Sequence, residues 1–221
     1  MVIEMKVIAK IHTDFPTKFG IPRQSGLIEE LKGRIVFEPE FRSPDAIRGL
    51  DGFSHIWLLW KFNTPESIKS LTVRPPKLGG NVRMGVFATR SPFRPNNIGL
   101  SCVKLEEIDG NELIVSGADL MDGTEIVDIK PYIPYADCHP DATGGFSKDG
   151  TDRLTVVCDE KLLKNVPENK HSALIKVLEL DPRPQYQDDP ERVYGFGFAG
   201  YEVRFTVEGP VLSVKEIEKL T

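Results

Sequence analysis

Apolar and polar residues alternate with a period of two along much of the chain, which is the pattern of half-buried β-strands. The alternation starts at Ile3 to Ile11 and returns at Arg34 to Phe37. A dense apolar and aromatic run from Phe53 to Phe62 has the length and composition of a buried strand. We also predict strands at Val82 to Ala88, Ser101 to Ile108, Glu112 to Ala118 and Glu125 to Ile133.

Closely spaced strands with little helix between them indicate a mainly β protein. Asp109-Gly110-Asn111 lies between two of the predicted strands and is typical of a hairpin turn. Ser43-Pro44 supplies a capping hydroxyl and a first-turn proline, so Asp45 to Leu50 is predicted to form one or two helical turns. The fold class that follows is a small antiparallel β-barrel.

The pattern changes after residue 137. A strand is predicted at Leu154 to Cys158, and helical spacing runs from Ala173 to Leu180 until Asp181-Pro182 ends it. A hairpin of Val193 to Phe198 and Tyr201 to Val207 follows. We therefore predict a barrel domain over residues 1–137 and a smaller α+β C-terminal domain over residues 138–221.

The composition of the chain limits the cellular compartments in which the protein is expected. No run approaches the roughly 20 apolar residues of a membrane span, and Glu4, Lys6 and Lys10 lie where a signal peptide would be apolar. The 3 cysteines are an odd number without close pairing in the sequence, which suits a reducing compartment better than a disulfide framework and predicts a cytoplasmic protein. Cys138-His139 with Cys158 and His171 matches no metal-ligand spacing, so no metal site is predicted.

Charge is segregated along the chain. The net charge of −5 argues against a polycation, so any phosphate-binding surface must be local. The interval from Arg74 to Arg94 is basic and contains no acidic residue. The overlapping segment from Ala88 to Leu100 adds Phe93 and two asparagines to the arginines and prolines, a combination suited to phosphate, carboxylate or an unstacked base. From residue types alone, the alternative is that the arginines are solvated loop charges and Phe93 belongs to the core.

Several motifs in one order resemble the TrmO family of tRNA methyltransferases. They are Lys18-Phe19-Gly20-Ile21-Pro22-Arg23-Gln24, Arg48-Gly49-Leu50-Asp51-Gly52-Phe53-Ser54-His55-Ile56-Trp57, the arginine-rich loops, Val127-Asp128-Ile129-Lys130-Pro131-Tyr132 and Asp181-Pro182-Arg183-Pro184-Gln185-Tyr186. The resemblance covers nearly the whole chain and weakens after about residue 186. It implies a β-barrel catalytic domain that methylates N6-threonylcarbamoyladenosine beside the anticodon of tRNA.

The resemblance also implies S-adenosyl-L-methionine as the methyl donor and a homodimer with the site near the subunit contact. The positions that match the family's cofactor contacts are Pro22, Arg23, Gln24, His55, Ile56, Arg90, Leu100, Leu120, Met121, Asp122 and Gly123. On this basis Arg90 is expected to pair with the methionine carboxylate, and the backbone around Leu120 to read the adenine edge. For His55 a core histidine bonded to the backbone is the competing interpretation.

Contacts with the tRNA anticodon loop are predicted from basic and aromatic residues. The candidates are Arg74, Lys77, Arg83, Arg94, Arg183 and Tyr186. Arg83 falls in a predicted strand, so a structural ion pair is an equal alternative for it. The target nitrogen lies between an adenine ring and a carbonyl that both acidify its proton, so a weak base is sufficient. Asp122 and the backbone are candidates for that base, and the sequence does not assign one.

Two functions of other classes remain open at this stage. One is a non-catalytic RNA-binding barrel, and the other is a barrel whose arginines bind a small anion. Binding of S-adenosyl-L-methionine would separate the methyltransferase from both.

Overall fold

The structure is a computed structural model that describes residues 5–63, 70–147, 153–183 and 189–220. Its barrel strands are β1 (Ala9–His12), β2 (Lys32–Phe37), β3 (His55–Lys61), β6 (Ile98–Asp109), β7 (Glu112–Ser116) and β8 (Thr124–Pro131). The remaining strands are β4 (Thr72–Val73), β5 (Met84–Gly85), β9 (Thr155–Val157), β10 (Tyr194–Phe198), β11 (Tyr201–Glu208) and β12 (Val211–Lys219). The α-helices are α1 (Pro134–Asp137), α2 (Glu160–Leu163) and α3 (Glu168–Glu179).

Six strands close into an antiparallel barrel in the order β1-β2-β7-β6-β3-β8. Alternation along each strand sends every second side chain inward, so that in β3 Ile56, Leu58 and Trp60 are buried while His55 and Trp57 lie on the outer face. The inward side chains form one apolar cluster from Ala9, Ile11, Ile35, Phe37, Ile56, Leu58, Trp60, Val103, Leu113, Val115, Ala118, Leu120 and Ile126. The predicted fold class, a mainly β protein with a small antiparallel barrel, is confirmed.

A second sheet follows in the order β10-β11-β12-β9, and α3 packs against it. Helix α3 buries Ala173, Leu174, Val177 and Leu178, which is the apolar stripe found in the sequence. The cluster beneath this sheet also contains Phe15, Ile28 and Leu31, which come from the N-terminal loops. The second core is therefore built from both halves of the chain, and the division at residue 137 stays a prediction.

Ionic and backbone contacts join α3 and the second sheet to the barrel side. Lys170 Nζ lies 2.6 Å from Asp14 Oδ2, and Ala199 N donates to Asp14 O at 2.8 Å. Lys176 contacts Glu30 in the same way. Gly20 has φ +81°, and a Cβ atom there would collide with the ring of Phe196. This close approach fixes the start of the loop that leads to Pro22.

Two local predictions are wrong. Residues 45–49 form turns instead of a helix, and a 3-10 turn follows at Leu50–Gly52. Ser43 Oγ does accept a hydrogen bond from Asp45 N at 3.3 Å. The segment is too short to form the hydrogen bonds that would offset the free-energy cost of helix nucleation, and Gly49 at φ +81° ends it. The strand predicted at Val82 to Ala88 is reduced to β5, because β5 pairs only with the two residues of β4 and a 3-10 turn begins at Val86.

Candidate active site

The loop Pro22 to Gly26 is fixed against one end of the barrel. Gly26 N donates to Gly117 O at 2.8 Å, just beyond the end of β7. Cys102 N in β6 donates to Ser25 Oγ at 3.0 Å. Pro22 itself is buried. Backbone and side-chain hydrogen bonds thus hold in place the loop that carries Arg23 and Gln24.

Arg90 and Gln24 contact each other, although they are far apart in the sequence. Arg90 Nη1 donates to Gln24 Oε1, and Gln24 Nε2 donates to Arg23 O at 2.5 Å. Arg90 is exposed, so its remaining N–H groups face solvent-accessible space. The structure therefore brings together residues of two predicted cofactor-binding loops.

Arg23 lies near Asp181, which follows α3 in the chain. Partial burial lowers the pKa of its guanidinium, and the nearby carboxylate of Asp181 opposes that shift. Asp181 also holds Arg183, since Arg183 Nε and Nη2 contact its two carboxylate oxygens at 2.8 and 2.9 Å. Asp181 thus links a predicted cofactor residue to a predicted tRNA residue.

Asp119 lies beside Arg90 and the Pro22 to Gly26 loop, and the sequence motifs did not identify it as a contact. Burial raises the pKa of its carboxyl group, and hydrogen bonds from Ser101 and from backbone N–H groups, with the charge of Arg90, act in the opposite direction. Asp119 directly precedes the predicted cofactor residues Leu120 to Gly123 in the sequence. Periodicity and motif spacing carry no information about which loop carboxylate faces which arginine.

His55, Ile56 and Leu100 lie on the paired strands β3 and β6. His55 is opposite Lys104 and Leu100 is opposite Leu59, so His55 and Leu100 are about 13 Å apart along the outer face at 3.3 Å per residue. Leu100 is exposed. Ile56 has its side chain in the barrel core with 0% exposure, so only its main chain is available to a ligand.

His55 is half-buried on the outer face. Its Nδ1 lies 2.9 Å from Ser54 Oγ, and its ring is 6.1 Å from that of Tyr132. A core histidine bonded to the backbone, the competing interpretation from the sequence, does not describe this arrangement. The imidazole lies on a partly accessible aromatic surface.

The Leu120 to Gly123 segment is fastened to the end of β1. Asp122 Oδ1 accepts from Thr13 N at 3.0 Å and lies 3.2 Å from His12 Nδ1. Asp122 N donates to Phe15 O and Gly123 N donates to Ile11 O, both at 2.8 Å. These two N–H groups are engaged within the protein, so neither is available to the adenine edge that the segment was expected to contact.

A cavity of about 300 Å³ opens between the end of β1 and the second sheet. Its lining includes Asp122 and Thr13 from the barrel side with Lys170 and Gly200 from the other. Arg23 and Arg90 do not line it. Of the predicted cofactor residues, Arg90 and Gln24 therefore lie together, while Asp122 lies apart from them at this cavity.

The predicted phosphate contacts differ in accessibility. Arg74 and Arg83 are exposed, and Arg83 lies in an irregular stretch directly before β5 instead of in the strand that the sequence suggested. Arg94 is half-buried and donates from Nη1 to Thr89 O at 3.0 Å. The side chain of Lys77 lies outside the described residues.

The aromatic and C-terminal candidates give a mixed result. Phe93 is 58% exposed, so the interpretation of this ring as a core residue is wrong. The side chain of Arg183 is only 12% exposed and is held by Asp181, which favours a structural role in this conformation. Tyr186 lies outside the described residues.

Within the described residues, no group of three or more His, Cys, Asp and Glu side chains has the arrangement of a metal site. In the same part of the chain, no helix combines the length and apolar character that crossing a bilayer requires. The 3 cysteines, Cys102, Cys138 and Cys158, are all free thiols.

Family models match most of the chain. The model for the N-terminal domain of tRNA-methyltransferase O matches residues 10–138, and the model for the TrmO C-terminal domain matches residues 153–220. Together they leave only short stretches unmatched.

Named relatives match at full length. The tRNA (adenine(37)-N6)-methyltransferase of Escherichia coli strain K12 is 38% identical, and the alignment covers 97% of both chains. A Pseudomonas aeruginosa protein with the provisional name S-adenosylmethionine-dependent methyltransferase RcsF is 40% identical over 93% of each chain.

Solved structures agree with the fold. A crystal structure of TrmO from P. aeruginosa superposes with a TM-score of 0.83 at 32% identity, covering 99% of this chain and 98% of the other. A second TrmO crystal structure gives a TM-score of 0.82 at 31% identity and covers 99% of this chain and 100% of the other.

Proposed function

This chain belongs to the TrmO family, and from that premise we propose that it transfers the methyl group of S-adenosyl-L-methionine to the N6 nitrogen of adenosine 37 in tRNA. The observation that carries the proposal is the full-length match to the E. coli enzyme. The contact between Arg90 and Gln24 agrees with it, because it joins two of the loops that the family resemblance assigns to the cofactor. The form of the substrate that we propose is N6-threonylcarbamoyladenosine.

The residues present fit the methyl donor. Arg90 offers an exposed guanidinium to a carboxylate, and Leu100 offers an exposed apolar side chain to an adenine ring. When bound, S-adenosyl-L-methionine supplies an electrophilic methyl group on a sulfonium. Gln24 holds Arg90 toward the Pro22 loop, which limits the orientations that its guanidinium can adopt.

The chain's own contribution to the chemistry is alignment and proton removal. The target nitrogen must approach the methyl carbon to within about 3 Å, so fixed loops are more important than a strong base. The Asp122 carboxylate is half-exposed and faces the cavity, where it is available to accept a proton directly or through water. His12 and Thr13 fix that carboxylate in place.

We propose that tRNA binds over the basic segment from Arg74 to Arg94. Arg83 and Arg74 are exposed and supply charge to phosphates, and Phe93 supplies an exposed ring on which an unpaired base can stack. Lys77, Arg94, Arg183 and Tyr186 remain further candidates. For Arg183, binding would require release from Asp181.

We further propose a homodimer. Exposed large apolar side chains that the cofactor and tRNA proposals do not use lie between residues 71 and 87, namely Leu71, Val82 and Phe87. Exposed apolar surface is typical of an interface, and the net charge of −5 disfavours association through charge attraction. Light scattering on the purified protein tests this, and a monomeric mass at all concentrations would contradict it.

A cytoplasmic location is also part of the proposal. Its support is the tRNA substrate of the named relatives and the presence of Cys102, Cys138 and Cys158 as free thiols. Fractionation of the source cells tests it.

The decisive experiment is a methyl-transfer assay. Purified protein is incubated with S-adenosyl-L-methionine labelled in the methyl group and with two tRNA preparations, one carrying the threonylcarbamoyl group and one lacking it. We expect label only in the first, at N6 of adenosine 37. If neither tRNA is labelled and calorimetry detects no binding of the methyl donor, the proposal fails. A non-catalytic RNA-binding barrel and a barrel that binds a small anion would then be the remaining interpretations.

A further inference from the structure

Asp119 is attached to the barrel interior by a chain of hydrogen bonds. Ser101 Oγ donates to Asp119 Oδ1 at 2.6 Å, and Trp60 Nε1 donates to Ser101 Oγ at 3.0 Å. Ser101 is fully buried and Trp60 nearly so. Buried polar groups linked in this way hold each other in one geometry, so the Asp119 carboxylate has a fixed position.

The outer side of that carboxylate faces the predicted cofactor site. The backbone of Ser25 and the charge of Arg90 both act to lower the pKa of this carboxyl group, so both lie near it. Ser25 belongs to the same loop as Gln24, which contacts Arg90 directly. Asp119 therefore lies at the junction of the Pro22 loop, the Arg90 loop and the Leu120 segment.

The charge of Asp119 carries a cost in stability. Burial raises the pKa of its carboxyl group, which means that the folded protein disfavours the ionised form relative to the unfolded chain. An asparagine would retain an acceptor oxygen for Ser101 without this cost. A carboxylate at a position where burial disfavours its charge, and near an arginine, indicates a role in the predicted cofactor site and not in the packing of the barrel core.

A comparison within the same barrel supports this interpretation. Ser116 is the other buried polar residue of the described core, and its Oγ donates to Glu106 Oε1 at 2.7 Å. Glu106 is neutralised by Lys32 and Lys104, both outside the predicted site. The two serine–carboxylate pairs are alike in geometry and differ in the cation that each carboxylate faces.

We propose that Asp119 is a positioning residue of the cofactor site: its negative charge, fixed by Ser101, orients the guanidinium of Arg90 toward the carboxylate of the methyl donor. This inference rests on the proposed function. It assigns to Asp119 no contact with the donor itself.

The test is calorimetric binding of S-adenosyl-L-methionine to Asp119→Asn. The substitution removes the charge and preserves the shape of the side chain, so we expect affinity to fall about tenfold, the size of a modest loss of charge-assisted binding. The thermal midpoint is expected to stay equal to or above that of the wild type. Glu106→Gln is the matched control and is expected to bind the donor like the wild type.

A double-mutant cycle with Arg90→Ala separates positioning from general structural damage. If Asp119 acts through Arg90, Asp119→Asn weakens binding by less than twofold in the Arg90→Ala background. Wild-type affinity in Asp119→Asn, or an undiminished effect in that background, overturns the inference. Absence of binding by the wild-type protein would instead overturn the proposed function.

Ser101→Ala provides a second route if Asp119→Asn does not fold. It keeps the charge and removes the hydrogen bond that fixes it. We expect affinity to fall about threefold, with the loss again confined to proteins that retain Arg90. Unchanged affinity in a folded Ser101→Ala protein would overturn the inference.

Discussion

Gly99 lies directly against the indole ring of Trp60, and a Cβ atom on Gly99 would overlap that ring. The indole cannot move away easily, because its Nε1 donates to Ser101 and its ring packs against Phe62 with 4.3 Å between centroids. The absence of a side chain at residue 99 is what allows a tryptophan to fill this part of the barrel.

Gly99→Ala is therefore expected to lower the free energy of unfolding by about 1–3 kcal/mol, the usual cost of overpacking. Denaturation in urea measures it. Gly52→Ala is the control, since a Cβ atom there meets nothing within 4 Å. A Gly99→Ala protein as stable as the control would show that Trp60 can shift without cost.

Glu106→Gln is expected to change the acid stability of the barrel. Hydrogen bonds from Lys32 and Ser116 lower the pKa of Glu106 to about 2 in the folded protein, from its ordinary value of 4.5. The stabilisation is thus complete above pH 4.5 and is lost as the pH falls through 4.5 toward 2. Because the partner lysines are partly exposed, we expect about 1 kcal/mol from this group.

Urea denaturation of wild-type and Glu106→Gln protein at a series of pH values measures this contribution. The substituted protein should lose less stability as the pH falls below 4.5, and Lys32→Met should change the profile in the same direction. An identical decline in wild-type and Glu106→Gln protein would contradict the prediction.

The ion pair of Lys170 with Asp14 is expected to stabilise the packing of α3 against the barrel. The two side chains are 25% and 14% exposed. Lys170→Met leaves the Asp14 carboxylate without this partner in a partly desolvated position, so we expect a loss of about 2 kcal/mol in the free energy of unfolding. Adding Asp14→Asn should recover part of it.

Lys6→Met is the matched control for that ion pair. Lys6 lies 2.7 Å from Glu40, but both side chains are about two-thirds exposed. Its loss should cost at most about 0.5 kcal/mol. Equal effects of Lys6→Met and Lys170→Met would show that burial does not strengthen the Lys170 pair.

Arg83→Gln is expected to weaken tRNA binding and to reduce its dependence on salt. Arg83 is exposed in the basic segment, and one phosphate contact with single-stranded nucleic acid contributes about 0.7 to the slope of log affinity against log salt. A filter-binding series in potassium chloride measures the slope. Lys215→Gln, an exposed lysine on β12, should leave it unchanged.

If Arg83→Gln leaves the salt slope unchanged, Arg83 is not a phosphate contact. If Arg83 instead forms a structural ion pair, the alternative from the sequence, the Arg83→Gln protein should have a lower free energy of unfolding and the same salt dependence of tRNA affinity as the wild type.

The barrel was predictable because its strands alternate regularly. In β3 the inward positions Ile56, Leu58 and Trp60 follow the period of two, and the prediction of Phe53 to Phe62 contains the whole strand. Strand β12 was missed because its pattern is interrupted. Glu216 pairs with Arg204 and Val214 with Phe205, so Lys215 is an extra residue that breaks the alternation between Val214 and Ile217.

The sequence predicts the candidate site as a set of loops and gives no arrangement of those loops in space. Motif resemblance identified Gln24 and Arg90 separately, and only the folded chain shows that they touch. Nor did the sequence reveal that Asp181 faces both Arg23 and Arg183. Contacts between loops depend on the barrel that carries them, which local patterns do not encode.

The shared core beneath the second sheet has a consequence for dissecting this protein. Phe15, Ile28 and Leu31 are covered by residues from beyond position 160, with Val166 among them. A fragment ending near residue 137 would present these three side chains to water and would be prone to aggregate. A substitution that disturbs the C-terminal sheet, for example at Phe196 where its ring contacts Gly20, should therefore displace the Pro22 to Gly26 loop and so impair catalysis from a distance.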